Sequence, residues 1–115
     1  MKDYQDAFGH GMYDYFEGEG GLEIVERDDG YFDVSGGPKA WFSEYKDWSG
    51  HQRKAMRFVK GRALDIGCGA GRHSLYLQGK GFDVMGMDIS PWAVEVCTKK
   101  RDEKCQTIVH HSNKL

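Results

Sequence analysis

Seven consecutive residues, Asp65-Ile66-Gly67-Cys68-Gly69-Ala70-Gly71, are the part of this 115-residue chain best suited to chemistry. They follow a short apolar run and precede a segment with helical character. Glycines at alternate positions can turn a chain sharply off a strand and let a ligand approach the backbone, because a residue without a Cβ reaches positive φ at little cost. Gly67 is expected to make the turn, Gly69 to let a ligand lie against the chain, and Gly71 to let the next helix pack closely on the strand. The first amides of that helix lack partners within it and point the same way. A second acid, Asp88, closes the next apolar run in Gly86-Met87-Asp88-Ile89-Ser90. It follows Gly71 by about one helix and one strand. A carboxylate there can accept hydrogen bonds from both hydroxyls of a ribose, and Ile89 beside it can pack on an adenine face.

Two ligand classes use a glycine loop in such a place. The dinucleotide fingerprint GxGxxG, counted from Gly67, requires its last glycine at position 72, where Arg72 stands. Asp65 at the mouth of the loop repels a pyrophosphate and favours a ligand bearing an ammonium and a sulfonium, which is S-adenosylmethionine. Asp88 suits either ligand.

The stretch from Ala63 through Leu77, followed by Phe82-Asp83-Val84-Met85-Gly86-Met87-Asp88-Ile89-Ser90, resembles the class I S-adenosylmethionine-dependent methyltransferases. Within that family, Gly71 to Leu77 is similar to the small-molecule branch that includes tellurite-resistance-type enzymes. The resemblance covers about a third of the chain. It implies Asp65, Gly67, Cys68, Gly69 and Gly71 around the methionine part of the cofactor, and Asp88 with Ile89 on its nucleoside. It further implies that an N-terminal helical segment covers the cofactor, with Tyr4, Tyr13 or Tyr15 as the covering side chains. Many relatives read the adenine amino group with an acid after the third strand. Here His111 or Ser112 is the nearest occupant. The activity implied is methyl transfer to a small-molecule acceptor.

The elements that must position these residues are legible in outline. Residues 62–115 read as βαβαβ: a strand at Ala63–Ile66, a helix from Gly71 to Gln78, a strand from Phe82 to Met87, a helix from Ser90-Pro91 to Lys100, and a strand at Gln106–Val109. Alternation of this kind argues for an α/β fold with a Rossmann-like parallel sheet. Residues 1–61 form an extension of different character, rich in glycine and aromatics. Tyr4, Phe8, Met12 and Tyr15 fall at helical steps from Tyr4 to Phe16, with Gly9 and Gly11 against a helix. Leu22 to Val34 reads as a hairpin turning at Asp29-Gly30. Gly37-Pro38 opens a short helix with Trp41, Tyr45 and Trp48 on one face. Ser49 and Gln52 have the spacing of a capping box for a second helix that buries Gln52, Ala55, Met56 and Val59, with Gly61 as its C-cap glycine.

The composition is that of a globular domain: 39% hydrophobic, 30% charged, net charge −2. Neither nucleic acid nor an anionic membrane is called for. Lys99, Lys100, Arg101 and Lys104 read as a solvated helix end. Cys68, Cys97 and Cys105 are odd in number and fit neither a metal site nor a disulfide framework, which points to reduced thiols and a cytoplasmic location. Cys68 reads as a packing residue, His73 as a surface residue, and His110-His111 as a solvated loop with no metal. Trp41, Tyr45 and Trp48 read as core or dimer contact rather than a substrate cage. The N-terminus has no apolar run of the signal-peptide kind, and no stretch approaches a membrane span.

The family sheet has the strand order 3-2-1-4-5-7-6, of which this chain supplies the first three strands. The expectation is a truncated form that binds the cofactor weakly or not at all and is inactive alone, with its catalytic residues beyond Leu115. Strand 1, Ala63–Ile66, is then an open edge, expected to self-associate or to be covered by the Leu22–Val34 hairpin. A non-catalytic module that binds the same cofactor and assembles by strand pairing is the alternative, and an NAD-linked oxidoreductase fragment is a third reading, opposed by Arg72 and Asp65.

Overall fold

A computed structural model describes residues 1–100 and the backbone of residues 108–111. Strands β3 (Arg62–Ile66), β4 (Asp83–Asp88) and β5 (Ile108–His111) form a parallel sheet in the order β3-β4-β5. Helices α3 (Arg72–Gly79) and α4 (Pro91–Lys100) make the crossovers. The register sets Asp65 opposite Gly86 and Asp88 opposite His111. The expected βαβαβ order is therefore present, with boundaries within two residues. His110 and His111 lie in β5 rather than in a loop, because their backbones pair with Met87 and Asp88. Cys105, Arg101, Lys104, Ser112 and residues 106–107 lie outside the described residues.

The extension begins with a 3₁₀ turn at Asp3–Gln5 and α1 (Ala7–Phe16). The apolar face expected of α1 is mostly wet. Met12 is 1% exposed, but Tyr4 and Phe8 are exposed. Gly9 is an asset to α1 rather than a flaw, since a Cβ there would overlap Ser90 Oγ and the Asp6 carboxylate. Strands β1 (Glu23–Glu26) and β2 (Phe32–Ser35) make the hairpin. Its turn is a three-residue loop, with Gly30 N donating to Arg27 O and Arg27 N to Tyr31 O. Asp29 accepts from Tyr31 N at 3.1 Å and pairs with the Arg27 guanidinium, which favours this wider turn over the two-residue one.

The expected helix after Gly37 is two 3₁₀ turns, Pro38–Phe42 and Tyr45–Asp47. Helix α2 (Gly50–Met56) starts at the Ser49–Gln52 capping box as expected, but it buries no residue. Gly61 lies five residues past its end, in the approach to β3.

The core lies between α1, α4 and the glycine loop: Met12, Ala70, Ala93 and Val96 are buried together, with Tyr13 and Phe42 packed on them. One face of the sheet is covered by these elements. On the other, Leu64, Ile66 and Met85 are exposed. The hairpin forms its own two-stranded sheet and does not pair with β3, so it does not cover that edge. Among the described residues, no helix is long and apolar enough to cross a membrane.

Candidate functional site

The loop between β3 and α3 is built as its glycines require. Gly67 has φ 76° and nothing within 4 Å of an added Cβ, so open space lies over it. Gly71 has φ 86°, and a Cβ there would overlap Cys97 Sγ. Its close approach is thus to helix α4 rather than to the strand. Gly67 N and Cys68 N both donate to Met87 O, at 2.8 and 3.1 Å, which ties the loop to the end of β4.

Asp88 completes that tie. Its Oδ2 accepts from Gly69 N at 2.8 Å and its Oδ1 from Ser90 N at 2.8 Å. A carboxylate oxygen has two acceptor positions, so each oxygen keeps one for a ligand. Ile89, next to it, is 44% exposed. Asp65 points to the helix side of the sheet, where Ser74 Oγ donates to it at 2.6 Å. Asp88 and the loop meet through the Gly69 amide, whereas Asp65 is engaged by Ser74 of α3. His111 joins them through backbone register alone, since its side chain is not described.

Cys68 is buried between the two acids. A hydrogen bond with the Cys97 thiol, then burial, then the negative field of Asp65 and Asp88 push its thiol well above the usual range. It stays protonated and packs, as expected.

His73 is not a surface residue. Its Nε2 is buried without a hydrogen-bond partner, and its ring meets Trp48 edge-on at 4.7 Å. Burial, and then the Arg72 charge, lower its pKa against an opposing pull from Asp65. Its burial comes from the extension, and no local pattern announces that. Lys100 departs from a solvated helix end in the same way. It lies over the Phe42 ring at 4.7 Å, and burial lowers its pKa.

Arg72, the residue that breaks the dinucleotide fingerprint, is a clamp. Its guanidinium donates to Ala40 O at 2.9 Å and lies over the Trp41 and Trp48 rings. Tyr45 stacks on Tyr76 of α3, and Trp48, 4% exposed, donates to Ser43 O. Trp48 is core, as expected, whereas Tyr45 is half-buried and Trp41 stands half in the open.

A hollow of about 140 Å³ lies over the loop, walled by Phe8, Met12, Trp41, Cys68, His73 and Asp88 among others. The side chains of the extension that wall it are thus Phe8, Met12 and Trp41, not the tyrosines. Tyr4 is exposed, Tyr13 packs on Trp92, and Tyr15 packs on Phe42. Sequence reasoning also missed Asp6, the buried carboxylate that holds α1 in this position. Its Oδ1 caps α1 at Gly9 N (3.0 Å), and its Oδ2 accepts from Ser90 Oγ (2.9 Å) and Trp92 N (3.2 Å) at the start of α4. An aspartate just before a helical stretch was the available signal.

Known proteins resemble this chain in sequence and fold. A family model described as a methyltransferase domain matches residues 63–114. A ubiquinone biosynthesis O-methyltransferase from Azorhizobium caulinodans is 42% identical over 55 residues, 47% of this chain and 22% of that protein. A SAM-dependent methyltransferase from Bacteroides fragilis, solved in complex with S-adenosyl-L-homocysteine, superposes with a TM-score of 0.78 at 26% identity, over 98% of this chain and 45% of its own. TehB from Haemophilus influenzae gives a TM-score of 0.52 at 17% identity, over 80% of this chain and 49% of its own, a likeness of fold alone. The chain spans less than half the length of each of these proteins.

Proposed function

We propose, from the premise that this chain belongs to the class I S-adenosylmethionine-dependent methyltransferase family, that it binds S-adenosylmethionine over the glycine loop and serves methyl transfer to a small-molecule acceptor. The observation that carries this reading is Asp88 at the carboxyl end of β4, bonded to Gly69 N beneath the open space over Gly67. Ligands of parallel α/β sheets sit at such strand ends.

The residues fit the cofactor's chemistry. Asp88 keeps two acceptor positions for ribose hydroxyls, and Ile89 offers an exposed apolar face to adenine. Asp65 and Asp88 together supply a negative field suited to an ammonium and a sulfonium. The hollow of about 140 Å³ is smaller than the roughly 300–1,000 Å³ of ligand pockets. A bound cofactor would need the open space over Gly67 and Ile89, or displacement of Met12, whose methyl lies 3.5 Å from an added Cβ at Gly69.

When bound, S-adenosylmethionine would supply an electrophilic methyl carbon on its sulfonium. The protein's part is alignment and exclusion of water, and an acceptor that is already nucleophilic demands no general base of this chain. The tellurite-resistance-type branch and a cytoplasmic location belong to this proposal. An NAD-linked reading is opposed by the clamp role of Arg72 at the position of the third fingerprint glycine.

The test is calorimetric titration with S-adenosylmethionine and S-adenosylhomocysteine, with NAD as control and Asp88→Ala and Gly67→Ala alongside. Binding of the sulfur ligands alone, lost in both variants, is the expected outcome. Binding of NAD instead overturns the reading.

A further inference from the structure

A second hollow, of about 250 Å³, lies between α1, the start of β1 and the first 3₁₀ turn of the segment after the hairpin. Its walls are Phe8, Leu22, Ile24, Pro38 and Trp41, with Ala7 and Gly11 behind them. Glu23 is its one charged neighbour, and that carboxylate already accepts from Ser35 Oγ at 2.9 Å. Phe8 and Trp41 also wall the hollow over the glycine loop. The two spaces are therefore divided by one pair of rings, edge-to-face with centroids 5.8 Å apart.

Of the hairpin, Leu22, Glu23 and Ile24 line this hollow. Alternation along a strand sets Ile24, Val34 and Phe32 on one face, with Glu26 opposite Phe32 at its far end. All three are more than half exposed, and Leu22, just before β1, is 73% exposed. Val25 and Asp33 take the other face. A contiguous exposed apolar surface beside a ligand loop marks a binding site. The larger open cleft beyond Trp41 is a poorer candidate, because it carries Lys39, Lys46, Glu44 and Asp47, with Lys46 paired to Glu44 at 3.8 Å.

We propose that the hollow bounded by Phe8, Leu22, Ile24, Pro38 and Trp41 receives the apolar body of the methyl acceptor, a small aromatic or aliphatic molecule whose nucleophilic atom reaches the glycine loop past the Phe8–Trp41 pair. The proposal rests on the cofactor reading above. The polar side-chain groups of the lining are the Glu23 carboxylate, already engaged by Ser35 Oγ, and the Trp41 indole N–H, so the hollow selects mainly by shape and apolarity. A strongly hydrated acceptor would exchange its hydration there for one partly engaged carboxylate and one indole N–H. The volume suits one or two fused rings rather than a long chain.

The experiment is calorimetric titration of the full chain with 2-naphthol, with and without saturating S-adenosylhomocysteine, and ethanolamine as polar control. The expected result is binding of 2-naphthol and not of ethanolamine. Ile24→Lys should weaken it by roughly tenfold or more, since the variant puts an ammonium into the apolar lining. Val25→Lys, on the opposite face, should leave it unchanged. Leu22→Lys, outside the strand, gives the same readout should Ile24→Lys disturb the hairpin. Equal loss in the Val25 variant, or no binding of 2-naphthol while S-adenosylhomocysteine binds, overturns the acceptor hollow and leaves the cofactor reading standing. Binding of 2-naphthol with none of S-adenosylhomocysteine overturns the link to methyl transfer and the cofactor reading with it.

Discussion

Replacing Asp6 by alanine tests what holds the N-terminal helix over the glycine loop. The carboxylate is 1% exposed and accepts three hydrogen bonds, from Gly9 N, Ser90 Oγ and Trp92 N. It thus serves the starts of two helices at once, where positive helix ends favour a negative group. Losing the cap of α1 costs about 1 kcal/mol. At α4, Ser90 Oγ keeps its bond from Ala93 N, but Trp92 N is left without an acceptor. An orphaned donor of this kind costs about 1–3 kcal/mol. The expected loss is therefore about 3 kcal/mol, which in a domain of this size lowers the melting temperature by roughly 10–20 °C. Urea and thermal unfolding followed by circular dichroism read it, with Asp14→Ala on the exposed side of α1 as a near-neutral control. A loss no larger than the control's, within about 0.5 kcal/mol, would refute the idea that this carboxylate joins the extension to the sheet.

Gly71→Ala adds a Cβ at φ 86° against Cys97 Sγ and should destabilise by about 2–4 kcal/mol. Gly20→Ala, with nothing within 4 Å, should be tolerated, and equal effects in urea titrations would contradict the packing described. His73 has a folded pKa below its ordinary 6.5, so folding favours its neutral form. Its contribution is complete above pH 6.5 and is lost as pH falls through the lowered folded value. The wild type should lose more stability between pH 7 and pH 5 than His73→Phe does, and parallel pH profiles would count against the assignment. We also propose self-association through the open β3 edge and the exposed face carrying Leu64 and Ile66. Sedimentation should show a dimer or larger species that Ile66→Lys converts to monomer, and a wild-type monomer at high concentration would remove the idea.

The sheet half was legible because its signals are local. The glycine loop, the Ser90-Pro91 start of α4 and the apolar runs of β3 and β4 each declare an element within a few residues, and the site acids sit at the ends of those runs. The extension was less legible because its order is imposed from outside. Asp6 finds its partners 84 and 86 residues away. His73 is buried by Trp48, and Tyr45 takes its place from Tyr76. The aromatics after Gly37 follow two 3₁₀ turns fitted to α3, so helical spacing misread their arrangement. Of α1, Met12 rather than a tyrosine lies against the glycine loop, its methyl 3.5 Å from an added Cβ at Gly69.

The bond from Ser90 Oγ to Asp6 also sets a clock on biosynthesis. Asp6 leaves the ribosome 84 residues ahead of its partner. At about 5–20 residues per second, some 4–17 s pass before the two can meet. During that interval α1 has neither its second anchor nor the core that buries Met12. The nascent segment around residues 7–16 must wait, uncovered, for α4 to be translated.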